Sequence, residues 1–211
     1  MGKKTAEALK KNHFQACYCR DRKEILEKVL EQVPQGAVIG LGGSWTVAEL
    51  GVLKELEARG HKILNHGKPG LSPEEKLETQ RGQLTSDVFI TGTNAITLDG
   101  QLVNVDGTGN RVAAMIFGPR KVVIVAGINK LVKDVEEGLK RIRQTAAPIN
   151  NKRLGTSNPC TVTGECMDCQ GPGRICNATV ILNKKPLKTD IHVFISEEDI
   201  GFQVVATTLI F

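Results

Sequence analysis

The sequence predicts an α/β fold: a mostly parallel sheet with helices on both faces, joined to an irregular cysteine-rich loop. Three observations carry this reading. AVIGL at 37–41, DVFITG at 87–92 and KVVIVAG at 121–127 are short, nearly continuous apolar runs, the pattern of strands covered on both faces as in parallel sheets. Between them lie segments with apolar residues at helical spacing, so strands and helices alternate along the chain. The stretch from about 155 to 178 instead mixes cysteines with glycines and prolines and has no periodicity.

From about Thr5 to Val33 the chain reads as helix, with Leu9, Phe14, Ile25, Leu26, Val29, Leu30 and Val33 at helical intervals and Pro34 and Gly36 as the stop. Inside it Cys17 and Cys19 alternate with Tyr18 as in a short extended segment, where the thiols read as half-buried small residues. The strand AVIGL leads into a GGS turn. Thr46 and Glu49 then form a capping-box pattern for a helix through Ala48, Leu50, Leu53 and Leu56 to a stop at Gly60. HKILNH at 61–66 is the next strand, and His61 and His66 at its ends read as surface or core residues rather than ligands.

After Pro69 and Gly70, Ser72 and Glu75 cap a helix running to about Leu84. DVFITG follows. AITL and QLVNV are short strands joined by Asp99 and Gly100, a dipeptide typical of tight hairpins. A short helix is expected from Asn110 to Phe117, a turn at Gly118 and Pro119, then KVVIVAG and a charged helix from about Val132 to Thr145. The segment 147–178 reads as irregular. ATVILN and IHVFIS are closing strands, and FQVVATTLIF at 202–211 reads as an edge strand or an oligomer contact.

At 211 residues the chain suits one domain, 1–211, carrying a metal-binding loop at about 155–178. Its 40% hydrophobic and 24% charged residues are those of an ordinary globular protein. No run approaches the about 20 apolar residues of a membrane span, and the first residues, MGKKTAEALKKN, do not resemble a signal peptide. A cytoplasmic protein with reduced thiols is therefore expected. The net charge of +5 favours anionic ligands. Nucleic acid is not expected as a partner, because an aromatic content of 4% leaves few stacking platforms and no recognition motif is present.

The strongest chemical signal is the array Cys160, Cys166, Cys169 and Cys176, spaced C-x5-C-x2-C-x6-C. Thiolates are soft ligands for iron–sulfur clusters, zinc or copper(I), and a C-x2-C step lets two sulfurs meet one centre. Gly164, Gly171, Pro172 and Gly173 let the backbone bend around such a centre. A [4Fe–4S] cluster is expected there, with zinc as the alternative.

Three loops that follow strands hold the other candidates, because ligands of α/β sheets sit beyond the carboxyl ends of the strands. In GLGGSWT, Gly42 and Gly43 permit close backbone approach, Ser44 and Thr46 offer hydroxyls, and a helix beginning near Val47 would aim N–H groups at an anion. In TGTNAITLDGQLVNVDGTGNR, Thr93, Asn94, Gly107, Asn110 and Arg111 are expected to bind substrate, with Asp106 as hydroxyl ligand or general base. In AGINKLV, Lys130 is a candidate anion clamp. There is no P-loop, nucleophile elbow, dinucleotide fingerprint or zinc-protease spacing.

GLGGSWTVAELG, the run SDVFITGTNAITLDGQLVNVDGTGNRVAAMIFGPRKVVIVAGINKLV, AAPINNKRL and the cysteine segment together resemble the LUD domain family, the lactate-utilisation proteins. The resemblance covers nearly the whole chain. It implies a fold like that of the sugar-phosphate isomerase and CoA-transferase (NagB/RpiA-like) superfamily, whose ligands are phosphorylated sugars and CoA thioesters. It also implies a possible place beside iron–sulfur partner subunits of a lactate-oxidising complex. This chain departs from the cysteine-poor members by carrying its own four-cysteine segment, and from the larger subunit by lacking ferredoxin-like repeats. The resulting expectation is a redox-linked accessory protein for a small anionic metabolite. An isomerase or transferase on a phosphorylated sugar or acyl-CoA, and a zinc-stabilised binding protein, are the alternatives.

Overall fold

A computed structural model describes residues 1–205 and 208–209. In chain order the helices and strands are α1 (Gly2–Lys11), β1 (Gln15–Cys19), α2 (Arg22–Glu31), β2 (Val38–Leu41), α3 (Trp45–Glu49), α4 (Val52–Ala58), β3 (Lys62–Leu64), α5 (Pro73–Gln83), β4 (Val88–Gly92), β5 (Ala95–Thr97), β6 (Leu102–Asp106), α6 (Asn110–Ile116), β7 (Lys121–Gly127), β8 (Leu131–Val132), α7 (Val135–Arg141), α8 (Ala147–Arg153), α9 (Cys160–Thr163), β9 (Ala178–Leu182), β10 (Asp190–Ser196), β11 (Val204–Val205) and β12 (Thr208–Leu209). The main sheet has six strands in the order β1-β10-β7-β4-β2-β3, all parallel. A second sheet, β8-β5-β6-β9, is built on the Asp99–Gly100 hairpin and is mixed.

Both faces of the main sheet are covered, and the pleat of KVVIVAG shows how. Val123 and Val125 join one core with Ile25 and Val29 of α2 and Val52 and Leu56 of α4. Val122, Ile124 and Ala126 face the other way, into a core with Leu9 of α1, Met115 of α6 and Leu102 of the second sheet. The far face of the second sheet is closed by Ile142, Ala147 and Leu139 against Ala95 and Val103. The molecule is thus layered as helices, main sheet, second sheet with α1 and α6, then α7 and α8.

The capped helix at Ser72 and Glu75 forms as expected, with both bonds of the capping box present. Four expectations are corrected. Residues 5–33 are not one helix: His13, at φ +69, ends α1, and the next residues form β1, whose Ala16 and Tyr18 face one core while Cys17 and Cys19 face the other. The helix after the GGS turn is capped by Ser44, whose Oγ accepts from the Val47 N–H, and it breaks at Gly51, at φ +71, into α3 and α4. The helix expected over 132–145 starts at Val135 behind the cap Asp134 and passes through a π-helical stretch, Ile142–Ala146, into α8. Pro148 sits where the π-helical turns pass into α8 and has no N–H to give that continuing helix, which ends at Arg153, so the irregular loop begins near Leu154 instead of at 147. The two closing strands also part company, β9 joining the second sheet and β10 entering the middle of the main one. FQVVATTLIF lies largely outside the described residues; its described backbone pairs β11 with β12 antiparallel.

Candidate functional site

A cavity of about 540 Å³ opens where β2, β4 and β7 end and β6 delivers its last residue. Gly42, Gly43, Ser44, Thr46, Thr93, Asn94, Asp106, Gly107, Asn110, Arg111 and Lys130 all line it. Local structure explains their approach. Gly42 continues the β2 pairing through its N–H to the Ile90 carbonyl at 3.0 Å, and a Cβ there would lie 2.5 Å from Thr91 Oγ1. Gly43 turns the chain at φ +66. With α3 only five residues long, its N–H groups present little of the dipole expected of a long helix.

The second loop forms a closed polar network. Asp106 is 8% exposed; its Oδ2 pairs with Arg111 Nε at 3.2 Å, and its Oδ1 accepts from the Gly109 N–H at 2.8 Å. Arg111 Nη1 donates to Asn104 Oδ1 at 2.7 Å, and Nη2 donates to the Val105 carbonyl at 2.9 Å and to Asn94 Oδ1 at 3.3 Å. Asn94 Oδ1 also accepts from the Val105 N–H at 2.8 Å, and Thr93 Oγ1 lies 3.1 Å from Asn104 Oδ1. Burial lowers the Arg111 pKa, offset in part by the Asp106 carboxylate. The buried ion pair fixes the loop between β6 and α6, while the polar atoms it uses are turned on one another.

Lys130 is different. It is 6% exposed, follows β7, and its Nζ donates to Thr46 Oγ1 at 2.6 Å. No carboxylate pairs with it among the described residues. Burial strips water from the ammonium, Arg141 and Arg111 repel it and Glu49 offsets them only in part, so its pKa is pushed down to about 7. Arg141 itself is held near 10 by burial and donates to the carbonyls of Asn129, Asn94 and Phe202, tying three walls together.

His66, read from the sequence as a surface or core residue, lines the cavity together with several residues not singled out there. His66 lies beside Gly43, its Nδ1 2.9 Å from Gln83 Nε2, and burial lowers its pKa toward a neutral ring. Because Gln83 Nε2 also donates to the Leu41 and Leu64 carbonyls, the end of the HKILNH strand is fixed against β2. Arg153 reaches the Gly43 carbonyl from α8, and Lys68 and Lys76 complete a basic rim. Trp45 stacks on Phe202 with ring centroids 6.4 Å apart at one wall.

The cysteine loop meets the same cavity. Asp106 pairs with Ala178 in the β6–β9 register, its carbonyl accepts from the Asn177 N–H at 2.9 Å, and Cys176 thereby becomes part of the wall. Arg174 braces the loop through Asp168 Oδ1 at 2.8 Å and the carbonyls of Cys169 and Cys176 at 2.7 and 3.0 Å. Asn158 adds a bond to the Gly173 carbonyl at 2.7 Å. No disulfide joins the cysteines among the described residues. Burial first, then the charge of Cys166, and more weakly of Cys160 and Cys169, push the Cys176 thiol up to about 11, with Arg174 opposing. Burial and then Cys169 and Cys166 likewise raise Cys160. The four thiols are therefore electrostatic neighbours, and the Asp168 N–H donates to Cys166 Sγ at 3.4 Å. As a donor set they fit a thiophilic centre. Among the described residues no group of three or more His, Cys, Asp or Glu is poised to hold a metal ion.

No helix among the described residues is long and apolar enough to cross a membrane. The LUD domain matches residues 2–196. No curated protein matches the chain. Among solved structures, a DUF162 family protein from Deinococcus radiodurans is similar over 92% of this chain and 94% of its own, at a TM-score of 0.52 and 13% identity, which shows a shared fold. Lesser likenesses are to eIF2B beta from Chaetomium thermophilum (TM-score 0.40, 15% identity, 55% of this chain and 44% of that one) and to ribose 5 phosphate isomerase A from Neisseria gonorrhoeae (TM-score 0.34, 19% identity, 56% and 57%).

Proposed function

The chain belongs to the LUD domain family, and from that membership we propose that it is a redox-linked accessory protein whose cavity binds a small anionic metabolite beside a four-cysteine iron–sulfur site. The observation that carries the reading is the position of Cys176, which lines the cavity with the glycine loop and Lys130 and neighbours the other three thiols. Cys160, Cys166, Cys169 and Cys176 would hold the cluster, a [4Fe–4S] one, and when bound it supplies one-electron transfer at the cavity wall. Ligation requires deprotonated thiols, so the raised Cys176 pKa is overcome by the metal's own charge.

The remaining work falls to the chain's own side chains. Lys130, Arg153, Lys68 and Lys76 draw the anion in, and Ser44 and the Gly43 backbone line the same cavity. His66 offers a neutral ring to the same space. The buried Asp106–Arg111 pair holds the loop carrying Gly107 and Asn110 in place. An isomerase or transferase reading with Asp106 as general base is set behind this one, because both of its carboxylate oxygens are already engaged. A cytoplasmic, reducing setting would keep the thiols available, and iron–sulfur partner subunits would exchange electrons with the loop.

Iron and acid-labile sulfide measured on protein prepared without oxygen test the proposal. About four of each per chain, lost in Cys166→Ser, are expected. Colourless protein holding stoichiometric zinc would reject the redox reading.

A further inference from the structure

We propose that Lys130 is a covalent nucleophile, condensing with a small carbonyl compound that bears an anionic group to form an imine inside the cavity. The inference rests on the anion-binding half of the proposed function and is independent of the cluster. A buried amine lining a binding cavity is normally neutralised by a carboxylate; among the described residues this one bonds the Thr46 hydroxyl, at 2.6 Å, and pairs with no carboxylate. A Cβ on Gly92 would collide with Ser44 Oγ and one on Gly201 with Thr46 Oγ1, so these two glycines admit the hydroxyls that stand beside the amine. The groups acting on it are Arg141 and Arg111, which repel its proton, and Glu49, which favours it. A large share of the side chain is therefore unprotonated near neutrality, the state that attacks a carbonyl. The basic residues Arg153, Lys68 and Lys76 line the same cavity and would hold the ligand's anion while its carbonyl carbon meets Nζ.

The step balances without an added oxidant or reductant. The Nζ lone pair adds to the carbonyl carbon as the C=O π bond breaks, and two amine protons leave with that oxygen as water. The C=N bond that forms is reversed by hydrolysis.

The 211-residue chain is treated with cyanoborohydride and either glyoxylate, for a carboxylate, or dihydroxyacetone phosphate, for a phosphate, and the labelled peptides are mapped by mass spectrometry. Lys23, with its side chain 86% exposed, serves as the internal reference. Labelling of Lys130 at least about tenfold faster than Lys23 at pH 7 is expected, because an ordinary lysine is almost wholly protonated there. The labelling should rise with pH through about 7 and be lost in Lys130→Gln whose melting curve shows a folded protein. Oxalate or inorganic phosphate should compete. Lys130 labelled no faster than Lys23 overturns the imine. If calorimetry still detects oxalate or phosphate binding in that case, the anion cavity stands; if neither anion binds, both readings fall.

Discussion

At the scale of single residues, two buried cations within one cavity are handled in opposite ways. Arg111 is matched by Asp106 and by acceptors around its fork, so its burial is compensated by charge-assisted bonds. Lys130 pairs with no carboxylate among the described residues, Glu49 favouring its charge only from a distance, and its proton is held less tightly. This gives stability a definite pH dependence. The folded pKa of about 7 lies below the ordinary value of 10.5, so between them the unfolded chain holds a proton that the folded chain does not, and stability rises with pH across that window. Below about pH 7 both states are protonated and the penalty is complete. Lys130→Met is expected to be more stable than the natural chain at pH 6 by on the order of 2 kcal/mol in urea unfolding, with the advantage shrinking toward pH 10. An advantage constant with pH would contradict the assignment.

At the scale of elements, the hairpin turn between β5 and β6 does more than reverse the chain. Gly100 has φ +85, and a Cβ on it would lie 2.6 Å from the backbone of Ala8 and Leu9. Asn12 Nδ2 donates to the carbonyls of Asp99 and Gly100 at 2.8 and 2.9 Å. The turn is therefore the seat of α1. Gly100→Ala is expected to cost about 2 kcal/mol or more, combining a left-handed backbone with a clash against main chain that has no rotamer to yield. A thermal melt within a degree of the natural chain would show that α1 can shift away. The Asp99–Gly100 signal was legible as a turn, whereas its role as a docking point was not, because the contact spans almost ninety residues of sequence.

At the scale of the whole molecule, the same division recurs. Continuous Val and Ile runs exposed the central strands because both faces of the sheet are covered, and glycines with dense polar residues exposed the strand-end loops that line the cavity. β1 was hidden inside a helical reading, since QACYC is short, contains no β-branched residue and stands between two true helices. His66 and Arg153 were hidden because tertiary packing alone brings their elements to the cavity. Strand order was hidden too: β10 lies between β1 and β7, and among the described residues it is the sole partner of β1 in the main sheet. Removing residues 184–211 should leave a chain without a cooperative unfolding transition by circular dichroism, because β1 and β7 then both lose their shared neighbour. A cooperative melt in the shortened protein would mean that β1 is held by α1 and α2 alone.

The insertion of β10 has a consequence during synthesis. When residues 1–180 have emerged from the ribosome, β1 still lacks its neighbour, and the edge of β7 that will receive residues 190–196 is open to other strands. The nascent polypeptide must wait for residues 190–196 before the sheet closes, which makes that interval the one in which a chaperone would matter most.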